Sequence, residues 1–125
     1  MLRALLHCTV LVLLVVLATM VSGGALAQNA DGYLSGIPDL PLMPGLRELP
    51  DGGLVFDKPG GRIVETFAEG AMTSMAVRGF YDETLPQLGW RREGRGTYLR
   101  EGERLNLELE QNAGSVTVHF RLIPD

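Results

Sequence analysis

The chain has 125 residues, a formal net charge of −4 at pH 7, two histidines and a single cysteine. This weakly acidic balance argues against general binding to nucleic acids or anionic membranes, because both require concentrated positive charge. The scarcity of histidine and cysteine argues against a catalytic metal site, and the length suits one small domain.

Residues 1–27 have the pattern of a secretory signal peptide. Arg3 supplies the basic start, Val10–Val21 is an almost unbroken apolar run, and Ala25-Leu26-Ala27 is an A-x-A cleavage site. We therefore expect cleavage after Ala27 and a periplasmic or secreted product. Cleavage removes Cys8, the only cysteine.

The alternative for this segment is an uncleaved inner-membrane anchor. The stretch from Ala4 to Val21 reaches the lower limit of a membrane span. The basic start faces the cytoplasm in either case, so the domain is expected outside the inner membrane. Contact with the membrane would then run only through the N-terminal segment.

Residues 28–46 are predicted to be a flexible start followed by a proline-rich extended segment. Prolines recur every three residues from Pro38 to Pro44, which is the period of polyproline II. Apolar residues, Leu40 and Met43 among them, share that period on the next edge. Such a stripe either packs against its own domain or is bound by a partner. In the second case Leu40 and Met43 are binding residues.

Two strands are predicted next, over residues 54–56 and 62–68. The sequence DKPGG between them, residues 57–61, is a strong turn signal. The second segment is rich in β-branched and aromatic residues. The pattern therefore indicates a hairpin that ends at Gly70.

A helix is predicted from Met75 to Leu88, with Thr73 or Ser74 as its N-cap. Its apolar residues fall on one face. Gly89 is placed to end the helix in a left-handed conformation. Pro86 removes an intrahelical hydrogen bond, so it should kink the helix or split off its last turn.

The rest of the chain alternates like an antiparallel meander. Two short segments, 90–93 and 97–100, are separated by a glycine-rich turn. Apolar residues then recur at period two over 105–109 and 116–122, which defines one buried face for the helix to cover. The expected fold is a small two-layer α+β domain over residues 47–125, in which one helix covers an antiparallel sheet in the order β-β-α-β-β-β.

The expected mature chain lacks the parts of familiar catalytic sites. No serine lies in a G-x-S-x-G motif, and the acidic residues form no calcium loop. His119 is its single imidazole, and Ser115 lies four residues away on the same predicted strand, about 13 Å distant at strand rise. We therefore expect a protein that is not an enzyme and that has neither a cofactor nor a metal.

One predicted surface combines arginines with aromatic rings. Five arginines lie within fifteen residues around Trp90 and Tyr98. Such a surface can hold carboxylates or phosphates, so Trp90, Arg91, Arg92 and Tyr98 are candidate binding residues. The alternative is a solvated sheet face that carries cross-strand ion pairs.

Five stretches carry a resemblance to known proteins: LPLMPGL (40–46), VFDKPGGRIVE (55–65), FYDETLPQLGW (80–90), YLREGERLNLEL (98–109) and VTVHFRLIP (116–124). On these stretches the chain resembles a family of short exported alphaproteobacterial proteins of unknown function. The resemblance implies export, a single domain and a kink at Pro86 that places Trp90. It implies no activity.

The sequence thus predicts a non-enzymatic accessory domain of the bacterial envelope. Its expected partner is another envelope protein, bound through the proline-rich segment. The alternative function is a module that binds an anionic small molecule or lipid at the Trp90 and arginine surface. Nucleic acid and metal are not expected as partners.

Overall fold

The computed structural model describes residues 32–125, which form one helix and a seven-stranded antiparallel sheet. The predicted signal segment lies outside this range. No helix within the range is long and apolar enough to cross a membrane. In chain order the elements are β1 (Arg47–Glu48), β2 (Leu54–Lys58), β3 (Gly61–Gly70), α1 (Ser74–Gln87), β4 (Arg91–Gly94), β5 (Thr97–Arg100), β6 (Glu103–Asn112) and β7 (Ser115–Pro124).

The sheet is built around three ten-residue strands, β3, β7 and β6, which lie side by side. Beyond β6 the sheet continues through β5 to β4, which forms one edge. At the other edge, β2 pairs with residues 61–65 of β3, and β1 pairs with Ala68 and Glu69 of the same strand. The two short strands therefore follow one another along a single edge of β3.

The predicted order β-β-α-β-β-β is wrong. The helix follows three strands and precedes four. The additional strand before the helix is β1, and two residues are too few for any alternation of apolar and polar side chains to show. After the helix, β4 and β5 form a hairpin of their own around Gly96, whose φ is 74°.

The start of α1 follows from a local capping signal. Thr73 has an extended backbone, and its hydroxyl accepts a hydrogen bond from the backbone N–H of Ala76 at 3.1 Å. This contact satisfies one of the N–H groups that the first helical turn leaves without a partner. Of the two predicted caps, Thr73 is the one used.

The end of α1 is closed by hydrogen bonds that carry the chain into the core. The helix runs unbroken through Pro86, so the predicted separation of its last turn does not occur. Gly89, at φ 87°, donates from its N–H to Pro86, and Trp90 donates to the carbonyl of Leu85 at 3.1 Å. This pair of bonds is the Schellman arrangement. It confirms Gly89 as the residue that ends the helix, and it places Trp90 beside Leu85 in the core.

The layer that covers the sheet consists of α1 together with the N-terminal segment, residues 32–46. The hydroxyl of Tyr81 on α1 donates to the carbonyl of Pro41 at 2.9 Å and accepts from the N–H of Met43 at 3.2 Å. The backbone of the segment is therefore hydrogen-bonded to α1, and its apolar side chains are buried in the core. Its buried apolar side chains are Leu34, Ile37, Leu40, Leu42 and Leu46.

Candidate functional site

The apolar stripe of the N-terminal segment packs against its own domain. Leu40 is completely buried in the main hydrophobic cluster. Met43 is partly buried against the same cluster, and its N–H is bound by Tyr81. The stripe was predicted either to pack against its own domain or to be bound by a partner, and the structure shows packing within the domain.

Trp90 is also part of the core, with only 2% of its surface exposed. Arg100 covers the indole, with its guanidinium carbon 4.3 Å from the ring centroid, which is a cation–π contact. Arg100 is itself held in place by an ion pair with Asp39 and a hydrogen bond to the carbonyl of Leu88. Because this arginine occupies the ring face, no ligand can stack there while the contact persists.

Tyr98 and Arg92 meet at one carboxylate, that of Asp82 on α1. The buried phenol of Tyr98 donates to Asp82 at 2.5 Å, and the Nε of Arg92 lies 3.3 Å from the same oxygen. Burial, and secondly the hydrogen bond to Asp82, raises the pKa of Tyr98 well above its ordinary value. Arg91 lies opposite Leu99 in the hairpin, whereas Arg92 lies opposite Tyr98, so the two arginines point to different faces of the sheet. The four predicted residues thus form no single surface.

His119 lies on the outer face of the sheet, stacked on the ring of Phe67 at a centroid distance of 4.3 Å. Its two nitrogens are each 3.6 Å from a carboxylate oxygen, one on Glu65 and one on Glu108. Glu65 also pairs with Arg121 at 3.1 Å. Within residues 32–125 no hydroxyl is hydrogen-bonded to this imidazole, and no group of three or more His, Cys, Asp or Glu could hold a metal. The arrangement is that of a histidine packed on an aromatic ring of the outer face, between two carboxylates.

The most exposed apolar strand is β2, which sequence reasoning placed in a hairpin without assigning it a role. Leu54, Val55 and Phe56 are 55%, 59% and 56% exposed. The strand pairs with β3 on one side, and its other side pairs with no strand in the described part of the chain. These three residues are called the β2 edge below. Three consecutive apolar residues usually indicate a buried strand, so no signal in the sequence showed this exposure.

A groove of about 370 Å³ runs beside the β2 edge, between it, β1 and the N-terminal segment. Its polar wall is the carboxylate of Glu48, which accepts from the N–H of Ser35 at 3.0 Å and from the hydroxyls of Ser35 and Thr66. These bonds tie the N-terminal segment to β1 and β3. Because the wall is held by several bonds, the groove is a preformed feature of the folded domain.

No protein-family model, curated protein or solved structure matches this chain. The resemblance to short exported alphaproteobacterial proteins stays a prediction. An architecture by itself does not specify an activity, so the function depends on the geometry of particular sites.

Proposed function

We propose that this chain is a non-enzymatic exported domain that binds another protein of the bacterial envelope by adding an extended segment of that partner to the β2 edge. The observation that carries the proposal is the exposure of Leu54, Val55 and Phe56, each more than half open to solvent on a strand that pairs with β3 on one side and with no strand of residues 32–125 on the other. The proposal keeps the predicted class of function. It moves the binding surface away from Leu40 and Met43, which the domain uses for its own core.

An open apolar sheet edge is a hazard for a protein that works alone. Its unpaired N–H and C=O groups can pair with any other extended chain, so natural proteins shorten, charge or cover such edges. Lys58 and the following Pro59 limit this edge at one end, yet the three residues before Asp57 are all apolar. A surface that keeps this liability fits a partner that covers it.

Strand addition also uses both faces of β2. Leu54 and Phe56 lie opposite Glu65 and Ile63 of β3 and share the outer face, whereas Val55 points to the inner face beside the groove. In this mode of recognition the main-chain hydrogen bonds give affinity, and alternate side chains give specificity. The partner segment should therefore be extended and apolar at alternate positions.

A second copy of this chain fits the edge poorly. The one two-fold antiparallel register that pairs all five residues of β2 sets Leu54 opposite Lys58 and Val55 opposite Asp57. Each of these pairs sets an apolar side chain against a charged one, which stabilises a sheet less than apolar pairs do. A partner of different sequence avoids this mismatch.

The test is capture of envelope proteins by the exported chain and by two variants. In Leu54→Lys/Phe56→Lys the edge carries added charge, while Met75→Lys adds charge at an apolar residue of α1 that is 82% exposed. We expect one specific partner to be retained by the wild type and by Met75→Lys and to be lost with the edge variant. Equal capture by all three proteins would overturn the proposal, as would a homodimer that the edge substitutions dissociate.

A further inference from the structure

A second groove, of about 420 Å³, lies between α1 and the turn that joins β4 to β5. It is lined by Met75, Arg78, Gly79 and Asp82 of the helix and by Arg95 of the turn. The guanidinium of Arg78 reaches this turn, since its Nη1 would lie 3.0 Å from a Cβ placed at Gly96. The fold therefore brings together two arginines that are seventeen positions apart in the sequence.

Arg78 and Arg95 differ from most other arginines of residues 32–125 because they form no ion pair there. Most arginines of the described chain are ion-paired, namely Arg47, Arg62, Arg92, Arg100, Arg104 and Arg121. Arg78 and Arg95 form no ion pair with any residue between 32 and 125, and the same holds for Arg91, which does not line the groove. The groove thus collects two of the three arginine charges left uncompensated in this part of the chain.

Asp82, the acidic residue of the groove, does not neutralise the charges of Arg78 and Arg95. Asp82 already accepts a hydrogen bond from Tyr98 and lies 3.3 Å from the guanidinium of Arg92. Its charge is therefore balanced by a residue other than Arg78 or Arg95. The groove presents a net positive charge to solvent, and two guanidinium groups provide the planar donor sets that carboxylates and phosphates bind.

Apart from Ser74 at the start of the helix, the remainder of the wall is apolar and has room for a chain. Met75 is 82% exposed at the rim, and Leu109 of β6 lies on the sheet side. A Cβ built at Gly79 would have no atom within 4 Å, so the helix surface is open at this point. A pocket of this size with an apolar wall and a few convergent polar groups is typical of small-ligand sites.

We propose that this groove binds the oxyanion head of a small amphiphile, a carboxylate or phosphate held by Arg78 and Arg95, with its short alkyl chain along Met75, Gly79 and Leu109. The site goes beyond the proposed function, because it uses a different surface from the β2 edge. It also differs from the predicted Trp90 surface: of that arginine cluster it shares only Arg95, and it contains none of the four candidate residues Trp90, Arg91, Arg92 and Tyr98.

The test is an NMR titration of the exported chain with octanoate, octyl phosphate, inorganic phosphate, acetate and octanol. Octanoate and octyl phosphate should shift the amide signals of α1 and of the β4–β5 turn. Octanol lacks the charge, whereas acetate and inorganic phosphate lack the chain, so each should bind at least about tenfold more weakly. Comparison of the two octyl ligands distinguishes a carboxylate from a phosphate as the preferred head.

Three variants make the result specific to the groove. Arg78→Gln/Arg95→Gln should weaken octanoate binding by at least about tenfold, while the control Arg91→Gln, at an arginine outside the groove, should leave it within about twofold. Gly79→Leu fills the open space and should abolish binding without lowering the melting temperature, because leucine is a better helix former than glycine. Octanol binding as tightly as octanoate, equal loss in the control, or no shift with either octyl ligand would each overturn the proposal.

Discussion

At the scale of single residues, two buried tyrosines join the layers of the domain. Tyr81 bonds α1 to the backbone on either side of Leu42 in the N-terminal segment, and Tyr98 bonds β5 to Asp82 on α1. Burial raises the pKa of both phenols well above the ordinary value. Both hydroxyl groups therefore stay protonated in the folded protein at pH values where they ionise in the unfolded chain.

This difference predicts a loss of stability in alkali. Unfolded tyrosines ionise near pH 10, so the contribution of Tyr81 and Tyr98 is complete below about pH 10 and is lost as the pH rises towards their folded pKa values. Urea unfolding between pH 8 and about 11 should show a steeper fall for the wild type than for Tyr81→Phe/Tyr98→Phe. Tyr33→Phe, at a half-exposed tyrosine, is the control and should follow the wild type. If the free energy of unfolding fell equally with pH in all three proteins, Tyr81 and Tyr98 would not be the cause of the loss of stability in alkali.

At the scale of elements, the ends of α1 were predictable because their signals are local. A threonine before the helix and a glycine after it act through contacts within a few residues, and the structure confirms Thr73 and Gly89 in these roles. The strand β1 was not predictable, since its two charged residues form a strand only because β3 lies beside them. Pairing between distant segments decides such elements, and no local propensity carries that information.

Two glycines of the helical region should respond to alanine with opposite signs. Gly79 lies inside α1 with open space at its Cβ position, so Gly79→Ala should stabilise the domain by about 0.8–1 kcal/mol. Gly89 has φ 87°, so Gly89→Ala should destabilise it by about 1–2 kcal/mol. Urea unfolding of the two variants measures both values. A loss of stability in the first variant, or a gain in the second, would contradict this description of the helix.

The candidate sites also depend on pairing that the sequence does not display. The arginines between 91 and 104 form a visible cluster, but Arg78 belongs to the helix and joins Arg95 only in the folded chain. Exposure of the β2 edge likewise depends on β3 having β7 on its other side and nothing beyond β2 within residues 32–125. Sequence patterns identified the strand and the arginines. They did not identify which of them remain open to a ligand or partner.

At the scale of the whole molecule, the N-terminal segment is part of the folded domain. Leu40 is completely buried, so Leu40→Ala should destabilise the domain by about 2–5 kcal/mol through the cavity that it leaves. Leu54→Ala removes a side chain that is more than half exposed and should change stability by less than about 0.5 kcal/mol. Urea unfolding compares the two variants. Similar values for both would show that the N-terminal segment does not belong to the core.

The two proposed sites differ in their chemistry and lie on different parts of the surface. The β2 edge offers apolar side chains on a strand with one side unpaired within residues 32–125, whereas the groove beside α1 offers uncompensated positive charge. They share no residue, so a partner at the edge and a small anion in the groove can bind at the same time. The two proposed sites can therefore be tested separately.

Photo-crosslinking in growing cells can show whether an envelope protein contacts the β2 edge. A photoreactive amino acid is placed at position 54 or 56 of the β2 edge, or at position 75 as the control. We predict one discrete adduct with an envelope protein from positions 54 and 56 and none of that mass from position 75. The absence of any adduct from the edge, or the same adduct from all three positions, would contradict binding of a partner at the β2 edge.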